Sequence, residues 1–362
     1  RRVLERISRD PERLLVVIDP RRSETAHKAD LHLAIRPGCD ALLLKAMIAL
    51  ILREGWQDQR FINENTSGFE AVRGWFADLD IVAALEVCGL DWEPVVRLCR
   101  LLTTRNWSMH PDLGVYMNRH STATSYLYYL LMAICGSIGR PGGNVIPGSI
   151  MPLGAHSDER DPQAWRTLAT DFPPIMGVYP PNVMPEEILS DHPQRLRAVL
   201  CSQSNPLRSY ADTSAYEKAF NALDLLVTID LALTETAALS HYVLPARSGY
   251  ESWDTTFFTW TWPGVYGQLR RPVVEPLGEP LETSQIFTRL AEALGLIPEI
   301  PDSLRQAAKG HRLGFGLALM NFFQANPAAQ AMSPLVLAQT LGREMGSANL
   351  AALWGLFMTA PK

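Results

Sequence analysis

The sequence predicts an α/β protein, with doubly wound, mostly parallel sheets formed by two related Rossmann-like half-units and a helical C-terminal extension. Three observations lead there. Two aliphatic runs, at 14–18 and 225–229, carry the continuous apolar pattern of strands buried on both faces. Each run ends in an aspartate, Asp19 or Asp230, and helical periodicity alternates with the strands. The runs also belong to an internal repeat. Leu14-Leu15-Val16-Val17-Ile18-Asp19, Ser23-Glu24-Thr25-Ala26 and Leu33 match Leu225-Leu226-Val227-Thr228-Ile229-Asp230, Thr234-Glu235-Thr236-Ala237 and Leu244, all at one offset of 211 residues (230 − 19).

Residues 1–10 read as a charged helix running straight into the first strand, and a second strand is expected at 31–35. After Pro37-Gly38 the pattern turns helical over 40–54, and helical segments continue to about 102. Residues 121–135 are a further helix, ended by the glycine-rich turn 136–143. From 143 to 193 proline, methionine and polar residues show little periodicity, which predicts a long irregular excursion over a surface or cleft. Order returns with a strand at 197–201, a turn at 202–206, a helix near 213–223 and the strand 225–229. Beyond Pro280 the chain is mostly helical, from 281 to 294 and on to 357. The domain organisation expected from this order has four parts: a first nucleotide-binding α/β unit with a helical insertion (1–135), a glycine/proline-rich loop region (136–196), a second nucleotide-binding α/β unit (197–295) and a helical extension (296–362).

Composition narrows the function classes. A chain of 362 residues that is 47% hydrophobic and 20% charged can bury a large core and is long enough for about two domains. The formal net charge of -5, with no block of Lys or Arg, argues against a polyanion-binding surface, so no nucleic-acid partner is expected. Cys39, Cys88, Cys99, Cys135 and Cys201 are scattered without a C-x-x-C pair; they read as small core residues and give no disulfide framework. The longest apolar runs, 41–52 and 126–138, fall short of the roughly twenty residues a bilayer requires, and no transmembrane segment is expected. The sequence opens on Arg1 and on a helix that feeds a strand, which reads as a chain cut from a longer one; the compartment is not indicated.

Asp19 and Asp230 sit where a nucleotide-binding α/β fold places an acid, able to accept from ribose hydroxyls or from a guanine's N1–H and N2–H2. The alternative is that each aspartate caps the short Ser/Thr-Glu-Thr-Ala helix that follows it; duplication favours two nucleotide ends. Ser202-Gln203-Ser204-Asn205-Pro206 follows a strand and opens a helix, so its N–H groups and the Ser204 and Asn205 side chains can face a phosphate; the alternative is a plain Asn-Pro turn. Gly139-Arg140-Pro141-Gly142-Gly143-Asn144 can bring backbone close to a ligand, with Arg140 reaching an anionic group, or can be a structural turn. His110, His120, His156 and Asp158 have no spacing that defines a metal site or triad, and no catalytic role is assigned to them.

The ordered set of motifs is more specific than any one of them. Val17-Ile18-Asp19-Pro20-Arg21, Glu24-Thr25-Ala26, Ala29-Asp30 and Arg36-Pro37-Gly38-Cys39-Asp40-Ala41 come first. Gly139-Arg140-Pro141-Gly142-Gly143, Ser204-Asn205-Pro206, Asp230 with Thr234-Glu235-Thr236-Ala237, and Val243-Leu244-Pro245-Ala246 follow in order, with Glu251 and Pro276-Leu277-Gly278-Glu279 as later landmarks. Over about residues 12–295 this set resembles molybdopterin oxidoreductases of the dimethyl-sulfoxide-reductase and formate-dehydrogenase superfamily. The resemblance implies an oxidoreductase with a bis(molybdopterin guanine dinucleotide) cofactor carrying molybdenum or tungsten, this piece holding its nucleotide tails. By carry-over, Asp19 and Arg21 would serve one nucleotide and Ser204, Asn205 and Asp230 the other, with Arg140, Gly142, Gly143 and Thr236 also on the cofactor. The metal ligand and the cysteines of a [4Fe-4S] cluster are expected upstream of Arg1, and a β-rich pterin-binding domain after Lys362. A small-molecule substrate and an electron-transfer partner subunit are implied as well.

Two positions depart from the family pattern. His241 stands where an Ala-Asp-Val-Val-Leu-Pro run usually has aspartate. Gly148-Ser149-Ile150 stands where formate dehydrogenases tend to place an arginine, which argues against formate. The competing readings are a cofactor-free structural relative in a respiratory complex and an ordinary dinucleotide dehydrogenase. Both strand-end acids and the Ser-Asn-Pro turn are retained, against the first; Gly-x-Gly-x-x-Gly is missing, against the second.

Overall fold

The computed structural model describes residues 2–145, 163, 165–175, 177–256 and 266–358. It is a mixed α/β structure in two compact units, Arg1–Ile146 and Pro147–Lys362. No described helix is long and apolar enough to cross a membrane.

In the first unit, β1 (Val16–Ile18) pairs in parallel with β2 (Leu31–Leu33), with Val16 opposite Leu31 and Ile18 opposite Leu33. The chain then turns through Gly38, whose φ of 82° suits glycine, into the helix Asp40–Arg53. Its sequence, DALLLKAMIALILR, is built of good helix formers and is apolar nearly all round, so it belongs inside the core; Asp40 and Arg53 complement its dipole. The helices Ile81–Cys88, Trp92–Thr104 and Ser121–Ile134 pack around it. Cys88, Cys99 and Cys135 are part of that core. Burial pushes each of these thiols up to about 12, so they stay protonated and behave as small apolar side chains.

The second unit holds a parallel three-stranded sheet in the order β3-β4-β5: Ala198–Ser202, Leu225–Asp230 and Tyr242–Pro245. The helix Thr213–Asn221, capped by Asp212 accepting from the Ala215 N–H, buries Tyr216 and Phe220 against Leu226 and Ile188. A short antiparallel pair, β6 (Asp254–Thr255) with β7 (Leu269–Arg270), lies further along. The helical segment from Asp302 to Met358 has its own core, centred on Phe315, Val336, Leu341 and Ala351.

The irregular excursion expected at 143–193 is ordered over part of its described length. Pro181 and Pro185 open a 3-10 turn and the helix Met184–Leu189, where a proline costs no helical hydrogen bond. From that helix the buried Glu187 carboxylate accepts from the N–H groups of Leu168, Ala169 and Thr170 and from the Thr170 hydroxyl, at 2.8–2.9 Å. Burial alone would raise its pKa; these hydrogen bonds outweigh burial and hold the carboxyl below its usual range. The first strand also differs from expectation. Ile18 is 39% exposed, and β1 has a strand neighbour on one edge only among the described residues.

Candidate functional site

The sequence repeat is repeated in hydrogen bonds. Strand pairing carries the same offset of 211: Val16↔Leu31 corresponds to Val227↔Tyr242, and Ile18↔Leu33 to Ile229↔Leu244. The helices Arg2–Arg9 and Thr213–Asn221 begin at that offset as well (213 − 2). At the carboxyl end of each central strand the turn is built alike. Asp19 Oδ1 accepts from the Arg21 N–H at 2.8 Å, and Asp230 Oδ1 from the Leu231 and Ala232 N–H groups at 2.7 and 3.4 Å. Ser23 Oγ then accepts from the Ala26 N–H, and Thr234 Oγ1 from the Ala237 N–H.

Neither aspartate is therefore the cap of the helix that follows. Each shapes the two-residue turn directly after its strand, and the hydroxyl four residues on does the capping. Asp19 Oδ2 receives the Ser23 hydroxyl at 3.3 Å, and its carbonyl accepts from His32 Nε2 at 2.9 Å. Asp230 Oδ2 has no partner among the described residues, and the Arg21 side chain is exposed and likewise unpaired among them.

Beside Asp230, β3 ends in the turn at 202–206. Gln203 takes a left-handed φ of 50°, its N–H donating to the Ile229 carbonyl at 2.9 Å. Asn205 Oδ1 accepts from both the N–H and the hydroxyl of Thr236, at 3.2 and 2.8 Å, while Nδ2 donates to Glu235 at 2.6 Å. Thr236 is fully buried and accepts the Leu207 N–H in turn. Asn205 and Thr236 thus latch the Ser-Asn-Pro turn to the helix Glu235–Leu239, and the Ser204 hydroxyl is left without a partner among the described residues. The Asn205 amide, helped by Arg208, holds the Glu235 carboxyl below its usual range.

Arg140, Gly142 and Gly143 lie in the first unit, in a turn closed by Gly143 N–H to Arg140 O and Asn144 N–H to Ser137 O. Asn144 pairs with Met109 through both ends of its amide, at 2.8 Å each. A Cβ at Gly142 would collide with Asn106 Nδ2 and one at Gly143 with the Ser137 carbonyl, so the protein's own packing accounts for both glycines. Among the described residues no group of His, Cys, Asp and Glu is placed to hold a metal, and His110 and His120 join no such cluster. His156, Asp158 and Gly148-Ser149-Ile150 lie outside the described residues.

Two features escaped the sequence reading. His241 Nδ1 accepts from the Leu226 N–H at 2.9 Å, as Asp30 Oδ2 accepts from the Leu15 N–H at 2.8 Å. The histidine is an isofunctional acceptor at the repeat-related position, and the offset (241 − 30) was the signal that could have found it. The landmarks Glu251 and Leu277 also meet: Glu251 accepts from the Ser248 N–H and hydroxyl at 2.8 Å and from the Leu277 N–H at 3.3 Å.

Comparison with known proteins gives a consistent result. The family model described as molybdopterin oxidoreductase matches residues 4–293. The alpha subunit of a formate dehydrogenase from Methanocaldococcus jannaschii is 32% identical over 305 residues, covering 80% of this chain and 44% of that protein. The catalytic subunit of an assimilatory nitrate reductase from Bacillus subtilis is 26% identical over 323 residues, covering 82% and 44%. Among solved structures, acetylene hydratase from Pelobacter acetylenicus superposes with a TM-score of 0.66 at 24% identity over 78% of this chain and 43% of that one, a likeness of fold. The chain spans under half the length of these relatives.

Proposed function

The chain belongs to the molybdopterin oxidoreductase family, and from that premise we propose that it is the part of a molybdenum or tungsten enzyme that holds the nucleotide tails of a bis(molybdopterin guanine dinucleotide) cofactor. The observation that carries the reading is the repeated strand-end turn, with a carboxylate at 19 and at 230 fixed by the same backbone donors. Each half-unit is read, by itself, as a doubly wound parallel α/β unit with ligands at the carboxyl ends of its strands.

The residues suit guanosine. At the second site the unpaired Asp230 oxygen is an acceptor for the N1–H and N2–H2 edge, which presents two donors side by side. The turn that carries Ser204 follows β3 at the same carboxyl end of the sheet, and Asn205 and Thr236 act by holding that turn. At the first site Asp19 would bind a second nucleotide, with Arg21 as the unpaired cation next to it and Arg140 supplying a further guanidinium in that unit. When bound, the cofactor would supply two-electron chemistry at its metal, the protein providing orientation and electrostatics. A [4Fe-4S] cluster, a small-molecule substrate and an electron-transfer subunit belong to the same proposal for the complete protein.

The test is Asp230→Asn in the full-length protein. Losing a charge-assisted pair should weaken nucleotide binding by roughly 1.5–3 kcal/mol and lower GMP and metal content, with circular dichroism unchanged. Cofactor content equal to the parent's would count against the assignment.

A further inference from the structure

The two strand-end turns differ in what holds the carbonyl of their aspartate. In the second half-unit the donor is main chain: the Ala246 N–H reaches the Asp230 carbonyl at 3.0 Å. Ala246 is kept beside the sheet by Leu281, whose N–H donates to the Pro245 carbonyl at 3.1 Å and whose carbonyl accepts the Arg247 N–H at 3.0 Å. The repeat-related residue in the first half-unit is Ile35 (246 − 211), and its N–H turns back to the Leu33 carbonyl at 3.0 Å. Arg36 then gives its N–H to the Cys88 carbonyl at 2.9 Å, and Pro37-Gly38 lead into the helix Asp40–Arg53. The chain leaves the sheet here, and the main-chain donor to the strand-end carbonyl is lost with it.

A side chain stands in its place. His32 Nε2 lies 2.9 Å from the Asp19 carbonyl oxygen. A carbonyl only accepts, so this nitrogen carries a proton whether the ring is neutral or charged. His32 is half-buried on β2, opposite Val17 in the parallel register. Its counterpart in the second half-unit is Val243 (243 − 32 = 211), which has no polar atom to offer. The carbonyl in question belongs to the peptide between Asp19 and Pro20, and proline brings no N–H of its own to fix that peptide. The turn that follows it delivers the Arg21 N–H to Asp19 Oδ1 at 2.8 Å. With the Asp19 N–H held by the Leu33 carbonyl at 3.1 Å, His32 completes the fixing of that residue on both sides of its Cα.

We propose that His32 is a positioning residue for the first nucleotide site, its Nε2–H replacing the main-chain donor that β2 gives up and so aiming the Asp19 carboxylate at its ligand. This rests on the reading of Asp19 as a nucleotide-binding residue. A binding group works only when its own orientation is fixed by its supports. The second site has that support in its backbone, which no side-chain substitution removes. The first has it in one imidazole, so the two ends of the cofactor are held with unequal dependence on a single residue.

The experiment compares the full-length parent with His32→Met and His32→Gln, all expressed in a host that makes the cofactor. Methionine and glutamine are close in length and shape, but only glutamine returns an N–H near the position of Nε2. GMP released by acid hydrolysis is measured per chain, and then followed as it is lost from the loaded protein in dilute urea, with circular dichroism on each sample. His32→Met should lose GMP about tenfold faster than the parent, or fail to retain it during purification, and His32→Gln should stay within about twofold of the parent. That rescue is what a loss of packing would not give. Parent-like content and loss rate in His32→Met, or equal defects in both variants, overturn the role of His32. If the parent carries GMP and His32→Met matches it, only the role of His32 falls; a parent without GMP removes the nucleotide reading and this inference together.

Discussion

In the second half-unit β4 lies between β3 and β5 and Ile229 is fully buried, whereas β1 pairs only with β2 among the described residues and Ile18 is 39% exposed. Yet the turns at the ends of the two strands share their aspartate, their capping hydroxyl and their pairing register. Local sequence sets the geometry at a strand end, because those bonds are made within a few residues. Burial is set by whatever packs alongside, and the same aliphatic run can be core in one place and rim in another. A strand-end turn of this kind can therefore be duplicated without duplicating its surroundings.

The comparison breaks most visibly at the paired isoleucines. Ile229→Ala should cost about 2–5 kcal/mol, since it empties a closed site, while Ile18→Ala should cost about 1 kcal/mol or less. Urea midpoints of the two variants would show it; equal losses would mean that β1 is covered as fully as β4. Next comes Glu187, an anchor of the second unit. Glu187→Gln should cost roughly 1.5–3 kcal/mol by thermal unfolding, because it removes the charge from four hydrogen bonds. Its folded-state pKa lies below the ordinary 4.5, so the carboxylate's contribution is present above that pH and is lost as pH falls through the lowered value. Stability of the parent should drop more steeply than that of Glu187→Gln in that acid range, and parallel curves would contradict the clamp.

Smaller effects sharpen the equivalence of the half-units. Asp30→Ala and His241→Ala each remove the acceptor for one backbone N–H, of Leu15 just before β1 or of Leu226 in β4, and should cost about 0.5–1.5 kcal/mol apiece. His241→Asp restores the pattern of the first half-unit and should stay within about 0.5 kcal/mol of the parent in denaturant midpoint. A large penalty there would show that the imidazole does something the repeat does not explain.

Much of this was legible beforehand because it is local or periodic. The helices Asp40–Arg53 and Ser121–Ile134 and the strand Leu225–Asp230 fall within a residue or so of their expected ends, where apolar period and glycine turns agree. The repeat was visible as letters, and it proved to extend to single hydrogen bonds. What sequence could not show was the use of each side chain. Asn205 and Thr236 look like ligand groups in a list of motifs, yet their polar atoms are tied to one another across 31 residues. Gly142 and Gly143 read as room for a ligand, and that room is held by Asn106 and Ser137. The helix at Met184–Leu189 was hidden by prolines that mark its start rather than a break.

The most direct test of the central claim is the ratio of GMP to metal in the complete protein, expressed in a host that makes the cofactor. Acid hydrolysis with elemental analysis should give about two GMP for each molybdenum or tungsten, one for each strand-end aspartate. A folded, correctly matured protein with neither GMP nor metal would contradict it and would favour a structural relative that has kept the fold without the cofactor.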